Sequence, residues 1–308
     1  MPNAFTRTFV PLLHREWLQY RFGWALLALL PLALALLMAL VGQVEFDDGA
    51  AAHPHKLALM LALLPVVVAM GLMLVIGLIS GLINVAGLAR RDHADRSVAY
   101  WLSLPVPHAS SLGVPMLAHL VLAPAVATLV GWLAGQALSL VLVGRTLGAD
   151  ALVEAPWGAT LVATATLLLR ILAGLPLAVL WLLPIVLLLV LFNAWFKRWG
   201  LVVLIVGFGL LGLVEWLSVG QRWLLTTKTE MLRHAVQALV GASGAKFNVR
   251  GDANGLASLL NLPAMAVGDF VAALAALGSP LFVGGLLFSA ACFALLLRWR
   301  RSAGGVGD

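Results

Sequence analysis

Residues 90–111, RRDHADRSVAYWLSLPVPHASS, decide how the rest of the chain reads. The stretch opens with Arg90, Arg91, Asp92, His93, Asp95 and Arg96. It passes through an apolar turn, Tyr100-Trp101-Leu102, and leaves through Leu104-Pro105. Strongly apolar segments lie on both sides. Charge at one end and an apolar patch at the other suit a short helix on a membrane surface, where a soluble partner could also grip it. Pro105 and Pro107 restrict the backbone on the way out, which predicts a stiff exit.

Working outward, composition sets the class. Of the 308 residues, 62% are hydrophobic and only 10% are charged. Globular domains carry about 25% charged residues, so this chain cannot clothe a water-facing surface. Apolar runs near 20 residues recur without the ten-residue alternation of barrel strands, which predicts an all-α integral membrane protein. The formal charge of +6 fits arginines at cytoplasmic helix ends better than a nucleic-acid surface. One cysteine, Cys292, excludes a disulfide framework.

Upstream, residues 4–22 read as an interfacial helix. Phe5, Phe9, Leu13 and Trp17 share one face, and Arg7, His14, Arg15 and Arg21 fall elsewhere. Pro11 is expected to break this helix or to open its main part. Spans follow at about 24–42 and 57–88, the second carrying Gly77-x-x-x-Gly81 for close helix approach. Downstream of the opening stretch the spans are about 114–143, 170–192, 200–219 and 280–297. The run 158–192 is too long for one straight crossing, so its beginning is expected along the outer interface. Residues 220–279 are the longest connection. Thr227 and Glu230 read there as a capping box, and 263–277 as an apolar helix too short to cross, broken from the last span at Gly278-Ser279-Pro280. That is the pattern of a re-entrant segment.

Charge counting orients the six spans. With both termini inside, the inner segments hold Arg7, Arg15, Arg21, Arg90, Arg91, Arg96, Lys197, Arg198, Arg298, Arg300 and Arg301. The short outer loops hold only Lys56 and Arg145. This bias predicts an inner-membrane protein of a bacterium with cytoplasmic termini, and places 90–111 in the cytoplasm.

The arrangement resembles the permease subunits of ATP-binding cassette transporters, in the exporter class called type 2. That family combines an N-terminal interfacial helix, six transmembrane helices, a cytoplasmic coupling helix between spans two and three, and re-entrant helices in the outer loop between spans five and six. After its second span the family often has an acidic-basic pair, then Gly-Thr, then a leucine-rich turn ending Leu-Pro. Asp92 and His93 stand where the pair would be, Arg96 and Ser97 where Gly-Thr would be, and Leu102-Ser103-Leu104-Pro105-Val106 matches closely. The departures are Asp for Glu, His for Arg and Arg for Gly. The resemblance implies a partner, a cytoplasmic ATPase dimer that holds ATP and Mg2+, and a second permease copy or homologue. It implies docking of that ATPase through Arg91, Asp92, His93, Asp95, Arg96, Tyr100, Trp101, Leu104 and Pro105. This chain itself has no Gly-x-x-x-x-Gly-Lys-Ser/Thr phosphate loop and needs no cofactor of its own. Residues 217–221, LSVGQ, resemble the cassette signature by chance, because no nucleotide fold surrounds them.

Two other classes compete. Gly241-Ala242-Ser243-Gly244 matches the serine motif of rhomboid proteases, but that chemistry needs the serine at the start of a buried helix and a span histidine to take its proton. Here Ser243 is followed by the polar Lys246, Asn248 and Arg250, and His119, the one histidine inside a span, reads as a polar group in a helix interface. A membrane scaffold without transport would lack the ATPase partner. Finally, Arg170, Glu215 and Asp269 are charges within apolar runs. Such charges can line an outer gate or pair with one another. The expected reading is the plainer one, with Arg170 and Glu215 snorkelling to the outer interface.

Overall fold

The computed structural model describes residues 4–42, 54–94, 108–196, 199–217, 223–244 and 253–303, and among them there is helix and short turn but no strand. The helices are α1 (Ala4–Val41), α2 (Pro54–Ala94), α3 (His108–Leu117), α4 (Ala123–Leu147), α5 (Ala149–Glu154), α6 (Trp157–Phe196), α7 (Gly200–Leu217), α8 (Trp223–Gly244), α9 (Ala253–Ala275) and α10 (Pro280–Ala303). A π-helical turn, Ala118–Leu122, joins α3 to α4, and a 3-10 turn, Ala276–Gly278, precedes α10. Six stretches among the described residues are long and apolar enough to cross a membrane: Phe9–Val41, Lys56–Leu88, Ala109–Leu147, Trp157–Phe196, Leu259–Gly278 and Pro280–Trp299. Gly200–Glu215 is apolar but shorter. The chain is a multi-pass helical membrane protein.

Several extents differ from the sequence reading. No break separates an interfacial helix from the first span, because α1 runs through Pro11 as one helix of 38 residues. At 1.5 Å per residue that is roughly 57 Å, well beyond a bilayer core of about 30 Å. Helix α6 is likewise continuous over 40 residues, through Pro176 and Pro184. Thr227 does not cap α8, which begins a turn earlier at Trp223; Glu230 instead holds Arg233 at 2.6 Å. Helix α9 starts well before Pro263. The proline's lost backbone bond is offset by Leu259 and Leu262, which pack on Leu59 and Leu63 of α2 and Ala163 of α6.

The packing alternates direction. One end of the bundle gathers Val85 and Leu88 of α2, Leu112 and Met116 of α3, Val186 to Ala194 of α6, and Cys292 and Leu296 of α10 in a single core cluster. The opposite end gathers Leu57 and Leu61 of α2, Val143 of α4, Leu152 of α5 and Trp157 of α6. Arg145 there reaches the Ala39 carbonyl of α1 at 2.6 Å. Helices α2 and α4 make the central pair. Methyl groups at Gly77 and Gly81 would overlap Pro124 and the His119 carbonyl, and at Gly131 and Gly135 they would overlap Ala69 and Val66 of α2. Small residues on both faces thus let the two backbones meet.

Helices α8 and α9 lie against α6. Leu259 of α9 packs at Ala163, Phe270 at Arg170, and Ala273 with Leu177 and Trp181. Past the 3-10 turn, Phe282 of α10 meets Trp181 at 5.0 Å and Leu296 joins the far cluster with Val190. So α9 and α10, end to end, track α6 from Ala163 to its last turns, and α9 alone covers only the first half. Helix α8 runs the other way. Its His234 stacks on Trp181 at 4.5 Å, while Ala238, a turn later, meets Gly174.

Candidate functional site

Of the charges singled out in sequence, the structure brings Arg170 and Asp269 together. Arg170 is 4% exposed, on the face of α6 that meets α8 and α9. Its guanidinium donates to the carbonyl oxygens of Ala238 at 2.5 Å and Gln237 at 3.0 Å. These carbonyls belong to the last turn of α8 before Gly241, where φ is 75° and ψ 172°. The break takes the chain off the helix axis, so the last turn's carbonyls lose the amides that would have followed. A planar fork of donors from a neighbouring helix replaces them, and its charge suits the negative end of the helix dipole. Gly174, one turn after Arg170, has no side chain to hold the Ala238 carbonyl away.

Asp269 completes the cluster from α9. Its charge acts on Arg170, and its carboxylate sits so close to Gly241 that a methyl group there would overlap it. The Phe270 ring lies 5.6 Å below the guanidinium. Arg170 therefore turns inward and does not snorkel. Glu215 is half-buried near the end of α7, on a different helix from the Arg170 cluster.

The residues read as ATPase-docking divide at Ala94. Arg91, Asp92 and His93 form the last turn of α2, with side chains outside the described residues; Asp95, Arg96, Tyr100, Trp101, Leu104 and Pro105 lie wholly outside them. What is described is the ground they stand on. The turns before and after, at Val85–Leu88 and Leu112–Met116, are locked into the cluster shared with α6 and α10.

A second polar pair escaped the sequence reading. Nε2 of His119 and Oε2 of Glu16 are 3.1 Å apart, with side chains 0% and 1% exposed. His119 stands in the π turn and Glu16 on α1. The rings of Tyr20 and Trp24 meet the imidazole edge-on at 4.7 Å and 5.5 Å. The turn has a local cause. Pro124 lacks an amide proton and would collide with the Leu120 carbonyl in a regular helix, so one residue is inserted ahead of it. Pro124 after His119 was the available signal. With Nε2 committed to Glu16, His119 is engaged on α1, while Ser243 belongs to the end of α8. Among the described residues no group of three or more His, Cys, Asp or Glu could hold a metal ion.

The chain matches no protein-family model, no curated protein and no solved structure.

Proposed function

We propose that this chain is the permease subunit of an ATP-binding cassette exporter, working as a dimer beneath which a separate ATPase dimer binds ATP and Mg2+. The observation that carries the reading is the setting of residues 95–107. They join two helix ends that are packed, with the ends of α6 and α10, into one apolar cluster. A push on that segment would move four helices together, which a simple interfacial loop would not require. The charges Arg91, Asp92, His93, Asp95 and Arg96 dock the ATPase, Tyr100, Trp101 and Leu104 fill its groove, and Pro105 stiffens the exit.

On the far side, α8 and α9 form the re-entrant pair. Both pack along α6 between Ala163 and Trp181, and on this reading they lie toward the outer face while α10 makes the last crossing. Arg170 and Asp269 fasten this pair to α6 and so hold the outer end of the pathway closed until ATP binding shifts the helices. Glu215 lines the same outer region from α7.

The test is biochemical. The tagged full-length protein, extracted from its native membranes, should bring down an ATP-binding cassette ATPase, and the reconstituted complex should hydrolyse ATP. The double variant Asp92→Ala, Arg96→Ala should insert normally and lose the ATPase. Retention of both the ATPase and its turnover in that variant would refute the docking role.

A further inference from the structure

A groove of about 630 Å³ runs between α1 on one side and α2, the π turn and α4 on the other. Its α1 wall is one helical face, His14, Trp17, Arg21, Trp24 and Ala28, spaced three or four residues apart. Polarity along that face is graded. His14 and Arg21 stand at the end nearer the N-terminus, and beyond Trp24 the lining is apolar, closed by Met73, Ile76 and Val130. The groove opens sideways, because Trp17, Leu29 and Val126 along its rim are exposed on the bundle's outer surface. In a bilayer an exposed apolar rim of this kind is open to the surrounding lipid.

We propose that this groove holds an anionic phospholipid, its phosphate on Arg21 and His14 and one acyl chain laid between Trp24, Met73, Ile76 and Val130. Charge complementarity selects the headgroup: both polar side chains lining the groove on α1 are basic, and a zwitterionic choline would place its cation beside Arg21. Apolar walls select the chain, since a water-soluble anion would gain nothing from the inner two-thirds of the groove. Trp17 and Trp24 bracket the level where headgroup gives way to hydrocarbon, the depth that tryptophan prefers. The site does not depend on the transporter reading; it requires only that the helices span a membrane. It also has a route to the rest of the molecule, because Trp24 and Ala118, which line it, touch or neighbour His119 in the π turn.

Native mass spectrometry of the full-length protein, offered phosphatidylglycerol and phosphatidylcholine in equal amounts, tests this. Phosphatidylglycerol should be retained selectively. Arg21→Gln should weaken its retention roughly fivefold, the worth of one arginine near a membrane surface, with a smaller further loss for His14→Leu, which removes only a hydrogen-bond donor. Arg21→Lys should keep most of it. Ala127→Phe should exclude the acyl chain, and Val126→Trp on the exposed rim provides the same test if the first variant does not fold. Equal retention of the two lipids, indifference to Arg21→Gln, or no loss with a filled groove would each overturn the site. Displacement of the lipid by free glycerol 3-phosphate would assign the basic end to a soluble anion and overturn it as well.

Discussion

Arg170 shows how much one side chain carries in this molecule. Buried, it supplies two carbonyls at the end of α8 and faces Asp269 across the same contact. Removing it strips the donors from a helix end and takes a positive charge away from Asp269. Arg170→Met is therefore expected to lower unfolding stability in lipid nanodiscs by roughly 1–3 kcal/mol, the usual cost of leaving buried acceptors without their donors. Asp269→Asn in that background should restore part of it, and the double-mutant cycle measures the coupling. A loss below about 1 kcal/mol for Arg170→Met would mean that water or lipid replaces the fork. Gly241→Ala is the independent check. It demands a left-handed φ and overlaps Asp269, so it should destabilise even with Arg170 in place. The candidacy of Arg170 and Asp269 was legible, because charges stand out in apolar runs. That Arg170 serves the carbonyls of Gln237 and Ala238 was not, because it follows from where α8 breaks and from Gly174 letting it approach.

At the scale of elements, the α2–α4 pair is the frame and the π turn is its irregularity. Gly77-x-x-x-Gly81 was readable as a close-packing motif, but what it meets, Pro124 and Ala127 at Gly77 and the His119 carbonyl at Gly81, depends on register that a single sequence does not declare. The Glu16–His119 contact was illegible for a plainer reason: 103 residues separate the pair, and nothing local to Glu16 announces a partner. Glycine substitutions separate packing from propensity here. Gly81→Ala drives a methyl group into the backbone of the π turn, whereas Gly71→Ala on the same helix meets nothing within 4 Å. Gly81→Ala should lower the melting temperature and Gly71→Ala should leave it unchanged or raise it slightly, since alanine is the better helix former. Equal effects would show that α2 and α4 are not held at backbone contact. Glu16→Leu should also destabilise, by about 1–3 kcal/mol, through the stranded imidazole, and Glu16→Gln by less, because it can still bond Nε2.

For the whole molecule, the alternation of helix ends ties the fold to the proposed mechanism. The apolar blocks were long enough to be found from composition alone; the difficulties were where helices continue through proline and where α9 begins, both set by tertiary packing. Ends of α2, α6 and α10 and the start of α3 meet in one cluster, and the starts of α2 and α6 meet in another with the end of α4. The described helix ends that flank 95–107 and 43–53 therefore lie at opposite ends of the bundle, and on the proposed topology the first is cytoplasmic. Cysteine labelling measures this directly, since Cys292 is 3% exposed and should stay silent. Leu104→Cys should resist a membrane-impermeant maleimide on intact spheroplasts and label fully after lysis, and Asp48→Cys should do the reverse, labelling before lysis. A cytoplasmic ATPase can act only on residues it can reach. If Leu104→Cys labels in intact spheroplasts, the segment faces away from any cytoplasmic ATP hydrolysis, and the exporter reading falls while the lipid groove and the Arg170 cluster stand.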